Sequence, residues 1–133
     1  MPQLVLPRVQ AMVVCDGIEE SEVEPGTFHL KGVRSEITAL HFPYTRPRLC
    51  VYLQMSGHRG EASCRVAVNR TETDEIVYRT SPRVIAFEGP MPVVPVIFRL
   101  RNCSFPAPGL DYVQMFHESK LIGERPLYLL AEG

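Results

Sequence analysis

The sequence predicts an all-β fold, an antiparallel sandwich of seven to nine strands forming one domain over residues 1–133. Three observations carry that expectation. Apolar residues recur with a period of two in successive runs, as they do when a strand turns alternate side chains towards a core. Gly, Pro, Asp and Asn gather between those runs, where turns need them. No stretch shows the 3.6-residue apolar period of an amphipathic helix, and many short strands without helices close into a sandwich or barrel. Nothing repeats at a fixed period, which argues against a solenoid. A chain of 133 residues can bury about two-thirds of its unfolded surface without disulfide or metal staples.

The first run is Arg8 to Cys15. Val9, Ala11, Val13 and Cys15 share one face, while Met12 and Val14 make the other face apolar, so the strand is expected to be buried on both sides. Asp16-Gly17 is expected to end it, and Glu19, Glu20, Glu22 and Glu24 lead to a turn at Pro25-Gly26. These carboxylates lack calcium-loop spacing and fit a solvated loop. Thr27 to Val33 alternates again, with Phe28 and Leu30 opposite Thr27, His29 and Lys31; Gly32 permits a bulge or a close approach. This second strand is expected to pair with the first. The segment from Ile37 to Pro47 is too rich in proline for a helix interior and is expected to be a loop or edge.

Leu49, Val51, Leu53 and Met55 alternate with Cys50, Tyr52, Gln54 and Ser56, and beyond Gly57-His58-Arg59-Gly60 the set Ala62, Cys64, Val66 and Val68 alternates with Ser63, Arg65, Ala67 and Asn69. Two such runs around a glycine-flanked turn predict a hairpin. Short strands are expected at Asp74–Arg79 and Val84–Phe87. Pro95 can begin a central strand but not continue one, so Val96, Phe98 and Leu100 start afresh. From Phe105 to Leu130 a Pro/Gly corner feeds a strand, a turn at Glu118-Ser119-Lys120 and a returning strand, which makes a terminal hairpin.

Pro108-Gly109-Leu110-Asp111-Tyr112 resembles the corner before the penultimate strand of immunoglobulin-like sandwiches, where a Tyr hydroxyl bonds back to upstream backbone. Leu110 stands where those domains usually place a small residue, and Gln114 stands where antibody domains place Cys. The chain has no Trp, so an antibody-type core is excluded. The whole length is similar to a family of small, functionally uncharacterised bacterial β-sandwich proteins. That similarity rests on Ala11-Met12-Val13-Val14-Cys15-Asp16, on Phe28-His29-Leu30-Lys31-Gly32-Val33, and on Pro108-Gly109, Tyr112 and Ile122-Gly123-Glu124-Arg125-Pro126-Leu127 in that order. It implies an immunoglobulin-like fold and no known activity.

Composition narrows the function classes. A net charge of −1 lacks the basic excess of a duplex-binding face, so no nucleic-acid partner is expected. The first eight residues do not resemble a signal peptide and no apolar run approaches membrane-helix length, so a cytoplasmic protein with no membrane partner is expected. The basic residues are 12 Arg and 2 Lys, a skew that suits a GC-rich bacterial genome. Cys15, Cys50, Cys64 and Cys103 include no C-x-x-C pair and are expected to be free thiols, some of them buried.

No catalytic residue, metal site or cofactor is expected. His29, His41, His58 and His117 are scattered among the cysteines without the paired spacing of metal ligands. Cys15 lies beside Asp16, whose negative charge would raise a thiol pKa rather than activate it. Two groups of residues remain. Arg99 and Arg101 share a strand face, and Arg46 and Arg48 flank Pro47; arginine forks suit carboxylates and phosphates, so these four form a candidate anion site. If Tyr112 points inward, Val113, Met115 and His117 point outward and, with Tyr128 and Leu130, make a candidate interface. The expected function is a non-enzymatic protein-interaction or structural module that forms a homo-oligomer or binds a protein partner. The alternative is a small-anion binder, with a Cys/His-dependent enzyme third.

Overall fold

A computed structural model describes residues 6–133. The expectation about the N-terminal segment falls largely on residues 1–5, outside the described residues. The strands run in chain order as β1 (Arg8–Glu20), β2 (Phe28–Val33), β3 (Glu36–Ala39), β4 (Tyr44–Ser56), β5 (Gly60–Arg70), β6 (Glu75–Arg79), β7 (Arg83–Phe87), β8 (Val94–Phe105), β9 (Gly109–His117) and β10 (Lys120–Ala131). An all-β sandwich is therefore correct, with ten strands among the described residues instead of seven to nine. No helix among them is long and apolar enough to cross a membrane.

The strands form two sheets. One has the order β2-β1-β4-β8; the other has the order β3-β10-β9-β5-β6, with β7 pairing along another part of β5. Neighbours are antiparallel except β3 and β10, which run parallel. Leu49, Val51, Leu53 and Met55 of β4 face Val66, Val68, Val113, Met115, Leu127 and Leu129 of the other sheet in one buried cluster. Each such side chain contributes about 1.5–3 kcal/mol by leaving water.

The expected hairpin between Leu49–Ser56 and Ala62–Asn69 does not form. β4 pairs with β1 and β8, whereas β5 pairs with β9, β6 and β7, so the chain crosses from one sheet to the other at Gly57–Gly60. Both runs have the alternation of a half-buried strand, and that pattern is satisfied equally by pairing side by side or by facing each other across the core. β1 continues through Asp16-Gly17 to Glu20, and the segment expected to be a loop or edge holds most of β3, which is the edge strand of its sheet, and the start of β4.

The terminal hairpin forms as expected, but its parity is reversed. Asp111, Val113, Met115 and His117 point inward and are buried, while Tyr112, Gln114 and Phe116 lie on the outer face. Val113, Met115 and His117 are therefore core residues and cannot line an interface; Tyr128 and Leu130 are exposed on the outer face. The reason is the corner itself. Arg70, at the end of β5, is buried and donates from Nη1 to the Ala107 carbonyl at 2.8 Å and from Nη2 to the Pro108 carbonyl at 2.6 Å. A side chain on Gly109, at φ 141°, would meet Arg70 Nη2 at 3.0 Å. An arginine thus ties the corner that the sequence assigns to Tyr112, and Asp111 turns inward to lie 3.6 Å from Arg70 Nη1.

Candidate functional site

The inward residues of β4 are Leu49, Val51 and Leu53, and those of β8 are Val96, Phe98 and Leu100, so their neighbours Arg48, Cys50, Arg99 and Arg101 face outward. The two strands pair with Arg48 opposite Arg101 and Cys50 opposite Arg99. Opposed side chains start about 5 Å apart and diagonal ones about 7–8 Å apart, which groups the three arginines on one patch. Pro47 and Asn102, the latter at φ 54°, lie beside them. There the burial pattern on β8 breaks, since Leu100 and then Cys103 are buried.

A cleft of about 460 Å³ opens over this patch, lined by Arg48, Arg99, Arg101, Pro47, Asn102 and, across from them on β1, Asp16, Gly17 and Ile18. Cys50 lies at its floor. Asp16 supplies the lining's single carboxylate, and that carboxylate is already engaged. Arg34 donates to both its oxygens, from Nε at 3.1 and 3.0 Å and from Nη2 at 2.7 Å, and Arg46 Nη2 donates to Oδ1 at 2.5 Å. The Arg34 hydrogen bonds, aided by Arg46, hold the Asp16 pKa below the ordinary carboxylate range against the opposing effect of burial. The expected close approach at Gly32 occurs here: its φ is 65°, and a Cβ would collide with the Asp16 carboxylate.

Of the four arginines expected to form an anion site, the fold brings Arg48, Arg99 and Arg101 together and diverts Arg46 into the Asp16 pair. Among the described residues, none of Arg48, Arg99 and Arg101 has an ion-pair partner. Like charges facing each other across a sheet are destabilising, so the triad is held in place by its strands rather than by mutual attraction. A fourth cation adjoins it: Arg83 of β7 lies over the Phe98 ring at 4.4 Å, and burial, with the nearby Arg99 charge, lowers its pKa. Sequence reasoning missed Arg83 because its position beside β8 depends on sheet-to-sheet packing.

The thiols offer no activated nucleophile. Burial pushes Cys15 and Cys64 up to about 11 and Cys103 up to about 12. Cys50 is also raised by burial, although Arg99 and Arg48 oppose it, and its thiol points at the Asp16 carbonyl at 3.8 Å. His58 and His117, far apart in sequence, come within 6.0 Å, and His117 Nδ1 lies 3.0 Å from the Ser63 carbonyl. Among the described residues no three His, Cys, Asp or Glu side chains are arranged to hold a metal.

A model of the DUF6941 family matches residues 10–130. The chain belongs to this family of unknown function. The match embraces both walls of the arginine cleft. No protein of curated function matches this DUF6941 chain. Among solved structures it is similar to the crystal structure of an immunoglobulin-like protein from Pseudomonas aeruginosa, at 13% identity and a TM-score of 0.47, covering 93% of this chain and 96% of that one.

Proposed function

We propose that this DUF6941 chain is a non-enzymatic binding module that captures a small anion in the cleft between β1, β4 and β8. The observation that carries the reading is that Arg48, Arg99 and Arg101 line a cavity of about 460 Å³ while its one carboxylate, Asp16, is engaged by Arg34 and Arg46. Arginine forks hold oxyanions by charge-assisted hydrogen bonds, which are the stronger class. The raised thiol pKa values support a binding role over nucleophilic catalysis. Thermal melts at constant ionic strength with acetate, citrate or inorganic phosphate test the reading. At least one anion should raise the melting temperature of the wild type and leave Arg99→Gln unmoved; equal shifts in both proteins would remove the cleft from the account.

Self-association is a second reading, favoured by the outer face of the six-stranded sheet. Tyr128 and Leu130 are exposed there, beside Leu110, which sits opposite Tyr128. Light scattering should give a mass above monomer that falls in Tyr128→Arg. A wild-type monomer would end this reading.

A further inference from the structure

Resting on the anion-binding reading, we infer that the cleft is built for a phosphoryl dianion carried on a small organic body, that is, a phosphomonoester. Three guanidiniums without an acidic partner among the described residues flank the cleft. The paired strands fix where the side chains start: Arg101 lies directly opposite Arg48, and Arg99 two residues before Arg101 on the same face of β8. A carboxylate has two oxygens in one plane and one negative charge, enough for one or two forks. A phosphomonoester offers three terminal oxygens arranged tetrahedrally and close to two charges at neutral pH, so each guanidinium can take its own oxygen.

The rest of the cleft indicates the organic body. Its volume, about 460 Å³, is several times that of a bare phosphate group, and Ile18 and Pro47 supply apolar wall beside the arginines. The acid across the cleft does not repel the ligand strongly, because Arg34 and Arg46 together outweigh the charge of Asp16. The side chain of Arg101 is also free to turn towards a ligand without loss of fold, since it is the Arg101 backbone N–H that is occupied, donating to the Tyr78 hydroxyl at 3.1 Å.

The test is titration calorimetry at one pH and one ionic strength with three probes: phenyl phosphate, benzoate and inorganic phosphate. Phenyl phosphate should bind one to one, at least about tenfold tighter than benzoate, which carries the same ring on a carboxylate, and tighter than inorganic phosphate, which lacks the ring. Arg99→Gln and Arg48→Gln should each weaken phenyl phosphate by about tenfold or more while leaving the melting temperature no lower than that of the wild type. Benzoate binding as tightly as phenyl phosphate would overturn the phosphoryl assignment and leave the anion reading standing. Inorganic phosphate binding as tightly as phenyl phosphate would overturn the organic body. Failure of all three probes both to give heat and to raise the melting temperature would remove both readings together.

Discussion

Arginine does opposite work at two places in this sandwich. At the corner before β9, Arg70 is buried, ties down the carbonyls of Ala107 and Pro108 and lies beside a carboxylate, Asp111. On the outer face of β4 and β8, Arg48, Arg99 and Arg101 stand in solvent without an ion-pair partner among the described residues. The first arrangement makes the arginine part of the fold. The second leaves the hydrogen-bonding capacity of three side chains available to something outside it. Arg46 lies between these extremes, half-buried and bonded to Asp16.

The sharpest contrast is expected from Arg70→Met. It leaves two backbone carbonyls without their donor and a buried carboxylate without its cation, and should cost about 3–5 kcal/mol in urea unfolding. A loss no larger than that of a surface arginine would break the comparison.

Asp111 comes next. Its oxygens are buried without a hydrogen-bond partner, and the 3.6 Å approach of Arg70 is too long to supply one. Burial, only partly opposed by Arg70, raises its pKa to about 6. The unfolded chain releases this proton near pH 4, whereas the folded chain keeps it until about pH 6, so stability falls as pH rises across that window. Asp111→Asn should therefore be more stable than wild type at pH 8, by up to about 3 kcal/mol, with the difference vanishing below about pH 4. A destabilised variant at pH 8 would show that the Arg70 attraction outweighs burial.

A smaller effect is expected at the cleft rim. Arg46→Ala removes one of two arginines from a partly exposed carboxylate and should cost about 1 kcal/mol at neutral pH. Because the Asp16 pKa is depressed in the folded chain, that loss is present above about pH 4 and fades as pH falls through the folded value. A loss that persists at pH 2 would assign the effect to packing of the Arg46 stem.

The two regions were unequally legible in the sequence. Alternation located β2, β6, β7 and the terminal hairpin, because a period of two is imposed by the backbone whatever the strand pairs with. Pairing was not legible: Leu49–Ser56 and Ala62–Asn69 read as one hairpin and lie in different sheets. For the same reason the sequence could group Arg46 with Arg48 and Arg99 with Arg101 but could not show that β4 and β8 are neighbours, which places Arg48 opposite Arg101. The parity of β9 is reversed because the expectation places Tyr112 inward as in the tyrosine corner of immunoglobulin-like sandwiches, whereas a buried cation ties this corner and draws Asp111 inside. That cation, Arg70, is 41 positions away in sequence and carries no local signal. Alternation also could not separate Arg46, which Asp16 captures, from Arg48 two residues later.

The most direct measurement is a pair of urea melts, with and without inorganic phosphate, on the wild type and Arg101→Gln at constant ionic strength. Without phosphate the midpoint of Arg101→Gln should be no lower than that of the wild type, because the exposed Arg101 side chain has no ion-pair partner among the described residues and faces the like charge of Arg48. With phosphate the midpoint should rise in the wild type alone, by linkage to ligand binding. A destabilised Arg101→Gln without phosphate, or a phosphate-dependent rise that is equal in Arg101→Gln and the wild type, would contradict the claim that these arginines are held ready for an anion.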